Sequence, residues 1–157
     1  VVNSNDDVRF PVNRSSWIAC MKQFGQDRIV LLEVDLPVED GNLKTAVSLL
    51  RRAREELDAG NYDGVVQQCR RAIESVQKTL KLKPAIYAAM DLFAGGDRRK
   101  MSKRERALVV SEAALHYSHP AHHVDDNGET FDYGRRDAAF MLALASAVVA
   151  NGAGCSE

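Results

Sequence analysis

The sequence predicts a mainly α protein: a bundle of four principal helices plus a short one, preceded by a small N-terminal β-α-β element. Three observations carry this reading. Apolar residues recur at helical spacing between Asn42 and Asn151, Pro84, Pro120 and the Gly95-Gly96 pair punctuate that stretch, and Ser102 to Glu105 spells a helix-capping box.

The first forty residues have a different texture. Val8 to Val12 (VRFPV) and Arg28 to Leu36 (RIVLLEVDL) are rich in β-branched and apolar residues and bounded by Asn13, Gly25 and Pro37, which is strand composition. Between them Ser15 or Ser16 is placed to cap a short helix, Trp17 to Phe24, ended by Gly25. Two strands alone leave open edges and bury little, so residues 1–41 either pack on the bundle or are the remnant of a larger domain. A chain that starts at Val1 rather than methionine fits the second expectation.

From Asn42 the period changes. Leu43, Ala46, Val47, Leu50, Ala53 and Leu57 recur at three and four, with Asn42 as expected N-cap and Gly60 as the stop, Asn61 completing a tight turn. A second stripe from Tyr62 through Val65, Cys69, Ile73 and Val76 carries the next helix to about Leu82. Pro84 ends it and suits the first position of a shorter helix, Ala85 to Phe93. In the capping box the Ser102 hydroxyl accepts from the Glu105 amide while the glutamate reaches back, so a helix starts there and runs to about Tyr117, before Pro120. After a turn at Asp125 to Gly128, a last helix begins near Asp132 to Arg135. It reads as apolar nearly all round, hence central or at a subunit interface, with residues 153–157 as a tail.

Size and composition set the class. A chain of 157 residues, 45% hydrophobic and 27% charged, suits one globular core without staples. A formal net charge of -1 supplies no global field toward nucleic acid or an anionic membrane. The longest apolar-rich run, Ala138 to Ala150, falls well short of the ~20 residues that span a bilayer, so no membrane partner is expected. Three widely spaced cysteines, Cys20, Cys69 and Cys155, form neither a CxxC metal pattern nor a disulfide framework, which favours a reducing, cytoplasmic setting. No GxSxG, Walker, GxGxxG or kinase motif occurs.

Two clusters stand out. All four histidines, His116, His119, His122 and His123, fall within eight residues, with Asp125 and Asp126 just beyond. Imidazole and carboxylate suit a divalent transition metal, although no HExxH pair occurs and Pro120 breaks the spacing; the plainer expectation is a histidine-stabilised helix end with no cofactor. Arg98, Arg99, Lys100, Lys103, Arg104 and Arg106 crowd nine residues at a helix start. There, positive charges oppose the helix dipole unless an anion answers them, so phosphate, RNA or an acidic protein is one reading and a solvated loop the other.

The stretch AREELDAGNYDGVVQQCRRAIE, Ala53 to Glu74, resembles one tetratricopeptide helix pair, which by itself implies a helical hairpin. More broadly, Leu43 to Ala150, with CRRAIESV in its second helix, a histidine-bearing loop and an alanine-rich closing helix after Arg135-Arg136-Asp137, resembles HEPN-type domains. That resemblance implies a compact, commonly dimeric bundle of the sort frequent in bacterial defence and toxin systems, whose active members cleave RNA with an arginine followed four to six residues later by a histidine. Here Arg106 precedes His116 by ten. The expectation is therefore a non-enzymatic interaction or oligomerisation domain, part of a larger bacterial protein, and homodimeric or bound to another protein. The alternatives are an RNA-cleaving or RNA-binding protein using His116 or His119 with Arg104 or Arg106, and a metal-binding protein.

Overall fold

A computed structural model describes residues 13–23, 34, 36, 41–96, 98–118 and 132–153. Among the described residues the regular structure is helical, and the chain divides into two units, Val1–Glu33 and Val34–Glu157. In the first unit α1 spans Arg14–Gln23. Its amide at Ser16 donates to Asn13 Oδ1 at 2.7 Å, so the cap is Asn13 rather than the expected Ser15 or Ser16, and the helix starts three residues earlier than Trp17. An asparagine caps as well as a serine, so the first suitable side chain takes the role. The expected strand Val8 to Val12 lies outside the described residues. Of Arg28 to Leu36, Val34 and Leu36 are described, and neither is in a strand.

The second unit is built from α2 (Lys44–Asp58), α3 (Tyr62–Thr79), α4 (Lys83–Ala94), α5 (Lys103–Tyr117) and α6 (Arg135–Ala153). Asn42 does not cap α2; the cap position falls on Leu43, which makes no side-chain cap bond and is buried. Packing decides this end, because Leu43 contributes more by entering the core than a polar cap does at the surface. The α2–α3 turn follows the sequence closely: Gly60 takes φ +76°, a left-handed conformation open to glycine at little cost. Asn61 does more than complete the turn. Its Oδ1 accepts from the Gly64 amide at 3.2 Å and its Nδ2 donates to Glu56 Oε2 at 2.7 Å, which caps α3 and ties it back to α2. Helix α3 stops at Thr79, short of the expected Leu82, and the chain reverses through Lys81 at φ +52° before Pro84 enters the first turn of α4.

Helix α3 is the centre of this unit. It packs on α2, α6 and α5, with Val65, Val66, Cys69, Ala72, Ile73 and Val76 all buried. Side chains such as Ile73, Val47 and Met141, withdrawn fully from water, each stabilise the fold by about 1.5–3 kcal/mol. Of the two places expected for α6, the centre is taken by α3. Helix α6 buries one stripe, Ala138, Met141, Ala145, Val149 and Gly152, against α3 and α2, and leaves Phe140 and Ala147 exposed.

Candidate functional site

The loop between α4 and α5 separates the six clustered cations into two groups with different work. Gly95 and Gly96 end α4, Gly96 at φ +84°. The Arg98 guanidinium then lies 4.2 Å above the Phe93 ring, and its Nε donates to the Phe93 carbonyl at 3.1 Å. Arg106 reaches back from α5, donating from Nε to the Met101 carbonyl at 3.1 Å and from its terminal nitrogen to the Arg98 carbonyl at 2.6 Å. Met101, between them, is buried. These two arginines fasten the loop to both helices through its carbonyls while staying exposed at the surface. Arg99, Lys100, Lys103 and Arg104 are exposed.

The capping box forms as the sequence predicts, with Ser102 N donating to Glu105 Oε2 at 2.6 Å and Glu105 N donating to Ser102 Oγ at 3.2 Å. The hydrogen bonds from Ser102, its hydroxyl first, hold the Glu105 carboxyl below its usual range. Lys103 and Arg104, in the same turn, overhang an apolar groove of about 640 Å³. Its floor is Val76 of α3 and Leu82 of the α3–α4 turn, and its walls are Ala107 and Val110 of α5 and Leu144 and Val148 of α6. Asn151 closes the same end as the two cations.

At the far end the two helices are clasped. The Tyr117 hydroxyl donates to Asp137 Oδ1 at 2.9 Å, the Gly134 amide donates to Asp137 Oδ2 at 3.0 Å, and the Tyr133 hydroxyl donates to the Tyr117 carbonyl at 2.7 Å. Tyr117 also meets Phe140 edge to face at 5.4 Å. The Gly134 amide, and then Tyr117, hold the Asp137 carboxyl below its usual range. Desolvation, followed by the bond to Asp137, pushes the Tyr117 phenol up to about 12. Arg136 is exposed one helical turn before Phe140, and both lie on α6 before Leu144, the first residue of that helix to line the groove.

The other predicted residues are dispersed. His116 has a side chain 72% exposed, 3.8 Å from Glu112 Oε1. Arg106 and Arg104 precede it on the same helix by ten and twelve residues, roughly 15 and 18 Å of rise, so a single chain does not bring them to one reacting bond. His119, His122 and His123 lie outside the described residues, among which no three potential metal ligands are grouped. Cys69, buried on α3, has its thiol pushed up to about 12 by desolvation, the environment of an inert core thiol. No described helix is long and apolar enough to cross a membrane.

The α5–α6 groove is the feature that sequence reasoning missed. Its trace was the surplus of apolar residues on α6, more than one buried face requires. Comparison with family models, curated proteins and solved structures finds no match to this chain.

Proposed function

We propose that the chain is a non-enzymatic protein-interaction domain that docks its partner in the groove between α5 and α6. One observation carries this reading: both helices bury one face on α3 and yet present a second, solvent-facing apolar surface of ligand-binding size. Val110, 47% exposed, lines the groove together with Leu144 and Val148, and these three are neighbours rather than scattered surface residues. Such bands on soluble domains mark binding surfaces, because leaving them wet forgoes about 25 cal/mol per Å². The homodimer expected from the sequence would fill the same groove with a second copy.

The test combines an environment-sensitive anionic dye, anilinonaphthalene sulfonate, with sedimentation velocity at high micromolar concentration. The expected result is a monomer that binds dye, with binding reduced at least tenfold by Val148→Glu. A dimer that excludes the dye and dissociates on the same substitution would establish self-association as the function of the groove. A monomer without dye binding would sink the reading, since the groove would then be closed in solution.

A further inference from the structure

The α5–α6 groove has one polar end. Tyr117, at the close of α5, bonds Asp137, at the start of α6, so the two helices run antiparallel and Asn151 falls beside Lys103 and Arg104. Away from that end the lining passes to Ala107, Val148, Val110 and Leu144. From Lys103 to Val110, and from Asn151 back to Leu144, is seven positions of helix, so the apolar strip is about 10 Å long. No Asp or Glu is among the described residues that line it. Glu105, next to Arg104 in sequence, keeps its charge but lies outside the lining, its Oε2 accepting from the Ser102 amide. Lys103, Arg104 and Glu105 together leave one net positive charge on this turn, which a monoanion answers.

A second copy would bring the same lining residues to the contact, and with them no carboxylate for Lys103 and Arg104, whose loss of water would go uncompensated. Helices α5 and α6 also touch one another, so the space between them is a crevice rather than a bed for a further helix about 10–12 Å across. Its volume of about 640 Å³ is that of a site for one small molecule. A slender apolar chain ending in a single anion matches the length, the lining and the charge together.

We infer that the groove binds a monomeric straight-chain aliphatic carboxylate, its head group at Lys103 and Arg104 and its chain along Ala107, Val110, Leu144 and Val148. The inference rests on the open groove of the docking role argued above and adds a regulator to it. Ligand and docked protein use the same apolar strip, so each excludes the other.

The experiment is isothermal titration calorimetry of the full chain with octanoate, decanoate and dodecanoate below their micelle-forming concentrations. Binding of one carboxylate per chain is expected, tightening about fourfold per added methylene until the alkyl chain outgrows the strip. Decanol and decyltrimethylammonium should each bind at least tenfold more weakly than decanoate. K103E/R104E should weaken decanoate at least tenfold, leave decanol within about twofold, and place decyltrimethylammonium ahead of decanoate. Both substituted side chains are exposed, and retained decanol binding reports an intact groove. Equal affinity for decanoate and decanol overturns the inference, as does decanoate binding that ignores K103E/R104E or chain length. Tighter binding, per head group, to phosphatidylglycerol vesicles than to decanoate overturns it in favour of a membrane surface. A chain that takes up anilinonaphthalene sulfonate but no decanoate refutes the ligand and leaves the docking role standing. Uptake of neither removes the open groove on which both rest.

Discussion

Asn61 sits where two helices must reverse direction in very little chain. Its carbonyl oxygen satisfies the Gly64 amide, one of the donors a helix start leaves without a partner, while its amide group holds Glu56 on the preceding helix. Gly64 is shaped to this arrangement, because a Cβ there would come within 2.5 Å of Asn61 Nδ2. Asn61→Ala is expected to lower stability by about 1 kcal/mol, at the usual cost of a lost cap. Urea denaturation should show a lower midpoint with an unchanged slope, and a change of less than a few tenths of a kcal/mol would show that the cap is dispensable. The local signals at this turn, Gly60 followed by Asn61, were legible in the sequence. The link to Glu56 was not, since nothing in spacing alone says which acid an amide will find.

At the scale of the element, the clasp between α5 and α6 makes a prediction about pH. Asp137 has its carboxyl held low in the folded state, so what it contributes is present above the ordinary carboxylate range and lost as pH falls through the lower, folded value. Tyr117 runs the opposite way: its phenol is raised from 10.0 to about 12, so its contribution is complete below 10 and disappears as pH climbs toward 12. Tyr117→Phe should therefore leave stability at neutral pH reduced, and should flatten its pH dependence on both limbs. Near-ultraviolet circular dichroism during acid and alkaline unfolding checks this, and identical limbs in the variant would mean that the hydroxyl does not hold the clasp. Sequence predicted both helix ends here within a few residues, because capping and proline are local. It did not predict the clasp, which joins residues twenty apart in sequence.

At the largest scale the decisive fact is which helix occupies the centre of the second unit. Helix α6 approaches α3 so closely that a Cβ on Gly152 would lie 2.9 Å from Val76 Cγ1, and the β-branched valine has little freedom to move aside. Gly152→Ala would gain about 1 kcal/mol of helix propensity in an isolated helix but pay about 1–3 kcal/mol for overpacking, so a net loss is expected. Thermal unfolding reads it, and a raised midpoint would show that α6 sits further from α3. The same arrangement disperses the candidate site residues. Six cations within nine residues look like one patch, yet Arg98 and Arg106 bond loop carbonyls while Lys103 and Arg104 line the groove.

The sequence by itself determined the mainly helical class, the breaks between the five helices after Asn42, and the Ser102–Glu105 box, because periodicity, proline, glycine and capping act within a few residues. Only the tertiary structure decided that α3 is central to the second unit, that α6 has one buried and one open apolar face, and that a groove with Lys103 and Arg104 at one end runs beside it. An apolar side chain looks the same in sequence whether another helix covers it or water does, and that choice is made by packing across the whole chain.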